Sequence, residues 1–135
     1  MSQKTSTDLP KCIEFKCKNL NHDADDQNSI CSRHKDIEGF DQSQFSKTTV
    51  WIIGVGGLGG EIAEGLVRKG IGKVGFFDGD TVAPSNLNRQ LFHEEDIGKN
   101  KATLLGYNLQ KEGFMGSTIK CYPMFFQEYL ENEEK

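Results

Sequence analysis

The feature that most constrains this chain is the loop at residues 54–59, whose sequence GVGGLG fits the pattern G-x-G-x-x-G. It follows a short apolar run at residues 50–53, which is typical of a buried strand in a parallel sheet. In such a loop the first glycine permits a tight turn, the second lets the backbone approach a phosphate, and the third lets helix pack against strand. We therefore assign these three roles to Gly54, Gly56 and Gly59.

A helix and further strands are predicted after the loop. Residues 61–69 have apolar positions at helical spacing and end at Gly70, while residues 73–77 (KVGFF) predict a second strand. Strand, glycine loop, helix and strand within about 30 residues make a βαβ unit with parallel strands. A second helix is predicted over residues 99–111 and a third strand over residues 118–124. The fold class is therefore α/β, a Rossmann-like, doubly wound parallel sheet.

Polar side chains after the second predicted strand indicate a nucleotide. Asp78 ends that strand and suits hydrogen bonds from ribose hydroxyls. Asn86, Arg89 and Gln90 follow it, and Lys101 begins the next helix. Cations of this kind neutralise phosphate oxygens, which favours phosphoryl or nucleotidyl transfer over hydride transfer. The alternative is a purely structural turn with ordinary surface cations.

The first 38 residues are polar and irregular, and they have too few apolar side chains to build a core of their own. This N-terminal arm has the spacing C-x4-C-x13-C-x2-H, which suits tetrahedral zinc, and His22 is a rival ligand. The four candidate ligands are Cys12, Cys17, Cys31 and His34. The alternative is that they are reduced thiols in a flexible arm. Cys121 lies in the third predicted strand and is expected to be a core residue.

Composition excludes several classes of protein. The sequence has 16 basic and 20 acidic residues and a formal net charge of -4, which argues against a nucleic-acid partner held by a basic surface. It has no apolar run of about 18 residues and no signal peptide at its start. We therefore expect a cytoplasmic protein with reduced cysteines and no membrane partner.

Three signatures in order carry a family resemblance: GVGGLG after a strand, then GIGKVGFFDGDTVAPSNLNRQ, then IGKNKA. They resemble the N-terminal half of the adenylation domain shared by the ThiF/MoeB/HesA proteins and the ubiquitin-activating enzymes. Weaker similarity extends back to Gly39. The resemblance divides the chain into an arm at residues 1–38 and a ThiF-type nucleotide-binding domain, truncated at its C-terminus, at residues 39–135.

This resemblance implies an ATP-dependent and magnesium-dependent adenylyltransferase, usually a homodimer or pseudo-dimer. The acceptor is the C-terminal carboxylate of a ubiquitin-like or sulfur-carrier protein, or another acyl or amide group, with a modified tRNA as the nucleic-acid exception. It attacks the α-phosphate and releases pyrophosphate. By the same resemblance Asn86 and Arg89 hold phosphate oxygens, Gln90 supports them, Asp78 binds ribose, and Arg89 and Lys101 act in catalysis. The three loop glycines face the phosphates.

Departures from the family leave alternatives open. Members need about twice this length, and the second half normally brings the magnesium carboxylate and the acceptor surface. We therefore expect either a truncated product or a degenerate module that binds nucleotide without completing catalysis, with its first strand left as an apolar sheet edge. The competing functions are a non-catalytic nucleotide-binding or dimerising remnant and an NAD-dependent oxidoreductase.

Overall fold

The computed structural model describes residues 12–20, 29, 33–34, 37–88 and 92–133. These residues form a mixed four-stranded sheet with helices around it. The strands are β1 (Ile13–Lys16), β2 (Thr49–Ile53), β3 (Lys73–Phe77) and β4 (Thr118–Tyr122). The helices are α1 (Gln42–Phe45), α2 (Gly57–Arg68), α3 (Lys101–Leu109) and α4 (Phe126–Glu133). Two 3-10 turns, Pro84–Asn86 and Glu94–Asp96, lie between β3 and α3.

The sheet has the strand order β1-β4-β3-β2, and its last three strands are parallel. The α/β prediction is therefore confirmed, and β3 occupies the residues that the sequence predicts. Helix α2 starts at Gly57 rather than residue 61 because the second half of the glycine loop forms its first turn. Strand β4 ends at Tyr122, before Pro123, which has no N–H to donate to a ladder.

Strand β1 is an element that our sequence analysis did not predict, since it lies within the supposed irregular arm. It pairs antiparallel with β4, with Ile13 opposite Cys121 and Lys16 opposite Thr118. Phe15 packs against the core between sheet and helices. The sequence IEFKC alternates apolar and charged residues, which is the pattern of a half-buried strand. Part of the arm therefore belongs to the sheet of the nucleotide-binding domain.

Helices α2 and α3 cover one face of the sheet, and the main core lies beneath them. This core cluster includes Val55, Ala63, Val67, Ile71, Val74, Phe76, Ala102, Leu109, Ile119 and Cys121. Cys121 is fully buried, as the sequence predicts, and burial raises the pKa of its thiol to about 12. A thiol with that pKa stays protonated at neutral pH and is a poor nucleophile.

Helix α4, also absent from our predictions, covers part of the opposite face. The rings of Phe126 and Tyr129 lie 5.0 and 4.9 Å from the ring of Phe77, centroid to centroid. Tyr122 stacks on Phe77 at 4.5 Å, and burial raises the pKa of its hydroxyl to about 12. Aromatic packing therefore fixes α4 beside the carboxyl ends of β3 and β4.

Strand β2 forms an edge of the described sheet, as the sequence predicts, and two of its three exposed side chains are apolar. Trp51 is 48% exposed and Ile53 is 62% exposed. The strand sequence TVWII contains none of the charges or prolines that usually protect a sheet edge. Among the described residues, no helix is long and apolar enough to span a membrane.

Substitution of Gly106, with Gly65 as its control, tests how closely α3 must approach the sheet. A Cβ on Gly106 in α3 would collide with Sγ of Cys121 and lie 3.0 Å from the Phe15 ring. We expect Gly106→Ala to lower the free energy of unfolding by about 1–3 kcal/mol because α3 must move outward. Gly65→Ala in α2 is the matched control, since nothing lies within 4 Å of its Cβ.

Gly65→Ala should raise the free energy of unfolding by about 0.5–1 kcal/mol, because alanine loses less backbone entropy in a helix. Urea denaturation of both variants measures these changes. Equal effects of the two substitutions would show that the α3–sheet contact is not close-packed.

Candidate functional site

The candidate site lies at the carboxyl ends of β2 and β3, where the glycine loop turns into α2. Gly54 has a φ of +86°, a conformation that side-chain-bearing residues rarely adopt, and its N–H donates to the carbonyl of Phe77 at 2.8 Å. A Cβ on Gly59 would collide with the carbonyl oxygen of Gly54 and lie 3.3 Å from Cγ2 of Ile52. The turn role of Gly54 and the packing role of Gly59 are therefore confirmed.

The middle glycine of the loop behaves differently. Nothing lies within 4 Å of a Cβ built on Gly56, and its φ of -63° is open to other residues. Folding alone therefore does not require glycine at this position. Open space is what a close approach of phosphate to the backbone needs, and this role stays a prediction.

The start of α2 offers uncapped backbone donors. Gly56 is the N-cap residue and provides no side-chain hydrogen bond to the first turn of the helix. The first N–H groups of a helix have no partner within it, and together they carry a partial positive charge. An anion at this position would satisfy them.

The carboxylate of Asp78 joins the end of β3 to this loop. Its Oδ2 accepts a hydrogen bond from the N–H of Val55 at 2.9 Å, and its Oδ1 accepts one from the N–H of Asp80 at 2.9 Å. Asp78 is only 7% exposed. Each carboxylate oxygen has a second lone pair, so Asp78 keeps the capacity to accept a ribose hydroxyl.

Lys101 brings a buried cation to the start of α3. The residue is 7% exposed, and its backbone N–H donates to the carbonyl of Asp80 at 3.0 Å. Within the described ranges, no carboxylate lies within ion-pair distance of its ammonium group, and the side chain makes no hydrogen bond. A buried charge without a partner is unfavourable, so this position suits a bound anion.

The remaining predicted ligands divide into two cases. Asn86 is buried, and its Oδ1 accepts from the N–H of Ala83 at 2.8 Å, which fixes the 3-10 turn after β3. The observed contact of Asn86 is therefore with its own turn. Arg89 and Gln90 lie outside the described residues, so their phosphate contacts stay predictions.

Asn100 is a residue of this region that our sequence analysis missed. Its Nδ2 donates to the carbonyl of Asp78 at 2.8 Å, and its Oδ1 accepts from the N–H of Thr103 at 2.9 Å as the N-cap of α3. The signal was an asparagine directly before a helical pattern, which is a preferred N-cap. Its link to β3 spans 22 positions of sequence and has no local signal.

The zinc hypothesis for the arm does not fit the structure. Cys12 and Cys17 flank the extended strand β1, which separates their Cα atoms by about 16 Å. Two thiolates on one zinc ion lie within about 4.6 Å of each other, since each Zn–S bond is about 2.3 Å. The side chain of Cys17 is buried and donates to the carbonyl of Leu109 at 3.6 Å.

The other proposed ligands do not restore the site. His34 hydrogen-bonds through Nδ1 to Gln42 at 2.6 Å, and Cys31 and His22 lie outside the described residues. Across the part of the chain that the structure describes, no three His, Cys, Asp or Glu side chains group as metal ligands. The C-x4-C pair is therefore a pair of strand-flanking residues and not half of a zinc clip.

Comparison with known proteins places the chain in a family context. The model of the ThiF family matches residues 30–134. An adenylyltransferase and sulfurtransferase MOCS3 of Danio rerio is 38% identical over 92 residues, which are 67% of this chain and 19% of that protein. A sulfur carrier protein adenylyltransferase of Thermus thermophilus is 40% identical over 70 residues, 51% of this chain and 26% of that protein.

Two solved structures are also similar to this chain. The crystal structure of E. coli MccB with ATP matches at a TM-score of 0.61 and 29% identity, covering 70% of this chain and 28% of that chain. The structure of PaaA matches at a TM-score of 0.53 and 32% identity, covering 62% and 26%. The chain thus spans about a fifth to a quarter of the length of the relatives described here.

Replacing two glycines of the loop with serine, one at a time, distinguishes a glycine that folding requires from one whose open space is assigned to a ligand. We expect Gly59→Ser to lower the free energy of unfolding by about 1–3 kcal/mol, because its side chain would push against the Gly54 carbonyl. Gly56→Ser should stay within about 0.5 kcal/mol of the unmodified chain, because serine is a favoured N-cap and the surrounding space is open. Urea unfolding of both variants measures the difference. A loss at Gly56 as large as at Gly59 would contradict the assignment of that glycine to ligand space.

Proposed function

The chain belongs to the ThiF family, and from this membership we propose that it supplies the ATP-binding part of an adenylyltransferase. The relatives described above include proteins named as adenylyltransferases, and the matched MccB structure contains ATP. In the proposed reaction an acceptor carboxylate attacks the α-phosphate, a new P–O bond forms, and pyrophosphate leaves with the electrons of the broken bond.

The observation that carries the proposal is Lys101, a buried lysine at the start of α3 whose N–H donates to the carbonyl of Asp80 in the loop after β3. A dinucleotide fold holds NAD pyrophosphate mainly with backbone amides and needs no buried cation beyond the second strand. A triphosphate that is attacked at its α-phosphate does need such a cation, because negative charge accumulates on the leaving group. Lys101 therefore favours nucleotidyl transfer over hydride transfer.

The other roles follow from position. The uncapped N–H groups of α2 would face phosphate oxygens, and Asp78 would accept the ribose hydroxyls. Arg89 is proposed to share the phosphate charge with Lys101, and Asn86 and Gln90 to support it, on the strength of the family resemblance. None of these groups attacks the substrate, so catalysis here is positioning and electrostatic stabilisation.

Magnesium is part of the proposal as a companion of the triphosphate. The chain's described residues contain no group of three or more metal-ligating side chains, so they form no separate cage for the ion. Mg²⁺ commonly binds through substrate phosphates, water and one or two carboxylates. Bound in that way, it would neutralise charge on the leaving pyrophosphate.

We propose a ubiquitin-like or sulfur-carrier protein, or a similar acyl or amide group, as the acceptor. The relatives include a sulfur carrier protein adenylyltransferase and a NEDD8-activating enzyme E1 catalytic subunit of Caenorhabditis elegans. A modified tRNA is disfavoured, because the net charge of -4 gives little attraction to a polyanion.

The apolar edge of β2 points to a further partner strand in the working enzyme. In a doubly wound sheet the ligand binds at the switch point, where strands continue on the other side of the first strand. Here β2 is that first strand, and it has no neighbour on its outer side within the described structure. We propose that a second half-domain or a second copy of the chain completes the sheet at this edge.

Binding assays on single variants test the nucleotide. ATP with Mg²⁺ should raise the melting temperature of the chain, and NAD should not. Asp78→Ala should weaken ATP binding by about 1.5–3 kcal/mol, because it removes a charged acceptor. The matched control is Asp41→Ala, which also removes a carboxylate that accepts two backbone N–H groups but lies before β2. Equal ATP affinity in the Asp78 and Asp41 variants would sink the assignment.

Gly56→Ser is a second, independent test of the same binding site. Its side chain would occupy the space assigned to phosphate without disturbing the fold, so ATP affinity should fall at least about tenfold, or 1.4 kcal/mol. Isothermal titration calorimetry measures this loss. Unchanged affinity would place the phosphates elsewhere.

The completeness of the site is tested on the 135-residue chain alone. We expect ATP binding without pyrophosphate exchange, because the switch-point crevice has strands on one side only.

Replacing Ile53, at the β2 edge, with lysine should reduce self-association in sedimentation velocity, since edge charges block strand pairing. Ile37→Lys, at a position 52% exposed and outside the sheet, is the control. A monomer that catalyses the exchange would contradict the proposed need for a partner.

A further inference from the structure

The loop after β3 and the segment before α3 form one hydrogen-bonded unit. The N–H of Val82 donates to the carbonyl of Lys99 at 2.9 Å, and the N–H of Gly98 donates to the carbonyl of Val82 at 2.9 Å. Thr81 and Asn100 form an isolated antiparallel bridge next to these bonds. The two segments, distant in sequence, are therefore held side by side at the end of β3.

The side chain of Asn100 makes three hydrogen bonds within this unit. Its Nδ2 donates to the carbonyl of Asp78 at 2.8 Å and to the carbonyl of Asp80 at 3.3 Å. Its Oδ1 accepts from the N–H of Thr103 at 2.9 Å and so caps α3. A primary amide has both donors and acceptors, which this arrangement uses together.

These contacts join the two groups that the proposed function needs. Asp78 is bound to Asn100 through its main chain, and Lys101 follows Asn100 directly as the first residue of α3. The N–H of Lys101 also donates to the carbonyl of Asp80. The start of the helix that bears the cation is thus fixed against the strand end that bears the carboxylate.

We propose that Asn100 is a positioning residue that fixes the distance between the ribose acceptor Asp78 and the phosphate cation Lys101. This inference rests on the proposed function and deepens it. Asn100 would act through these two residues and would not itself touch the nucleotide. Its loss should weaken the phosphate interactions of Lys101 and spare the binding of the nucleoside.

Serine and glycine are suitable replacements because both are accepted N-cap residues, yet neither reaches the carbonyl of Asp78. Asn100→Ser and Asn100→Gly therefore retain the cap of α3 and remove the link to β3. Using both keeps the test available if one variant folds poorly. The probes are ATP and adenosine, measured by calorimetry on the full 135-residue chain.

The deciding comparison is a double-mutant cycle with Lys101→Met. We expect Asn100→Ser to weaken ATP binding about fivefold to tenfold and adenosine binding less than about twofold. In the Lys101→Met background the same substitution should change ATP affinity less than about twofold, because the cation to be positioned is gone. A purely structural role would instead lower the affinity equally in both backgrounds.

The outcomes separate this inference from the function on which it rests. ATP affinity within about twofold of the unmodified chain in both Asn100 variants would overturn the inference and leave the function standing. Equal losses with and without Lys101 would do the same. If the unmodified chain binds no ATP while remaining folded, the proposed function and the inference both fall.

Discussion

The candidate site depends on the pair of hydrogen bonds that the Asp78 carboxylate accepts from the main chain. One comes from Val55 in the glycine loop and the other from Asp80 in the following loop. A buried carboxylate that accepts backbone N–H groups makes stronger bonds than a neutral acceptor. The same loop begins with a positive φ at Gly54 and has no room for a side chain at Gly59. The glycine loop is therefore tied to the end of β3.

Helices cover the two faces of the sheet to different degrees, and this difference bears on the proposed function. Helices α2 and α3 bury one face so closely that Gly106 allows contact with Cys121. On the other face α4 covers the rings near the carboxyl ends of β3 and β4, while Trp51 at the edge stays half exposed. The proposed nucleotide-binding groups lie at the carboxyl ends of β2 and β3, and the open edge is where a doubly wound topology places another strand. In the proposed function, ATP binding therefore draws on the described fold, and completion of the reaction requires a partner at this edge.

The candidate site has a charged group as well as a defined shape. Lys101 is buried and has no carboxylate partner among the described residues, so its environment favours an anion. A free side chain of this length would lose much conformational freedom on binding a phosphate. In the proposed function, burial at the start of α3 and the hydrogen bonds of Asn100 would remove part of this cost before a nucleotide binds. The same principle of preorganisation underlies the electrostatic stabilisation expected of a nucleotidyl-transfer site.

The sequence by itself determined the βαβ unit, the bounds of β3, the roles of Gly54 and Gly59, and the family, because each has a local pattern of spacing or residue type. It did not reveal that residues 13–16 join β4, since strand pairing across about 100 residues leaves only a weak alternating signal. Nor did it show that this strand holds Cys12 and Cys17 apart, which removes the zinc site. The burial of Lys101 and the link from Asn100 to Asp78 were likewise decided by tertiary structure. A hydrogen bond between segments distant in sequence depends on where the sheet and helices pack, and no local residue pattern encodes that.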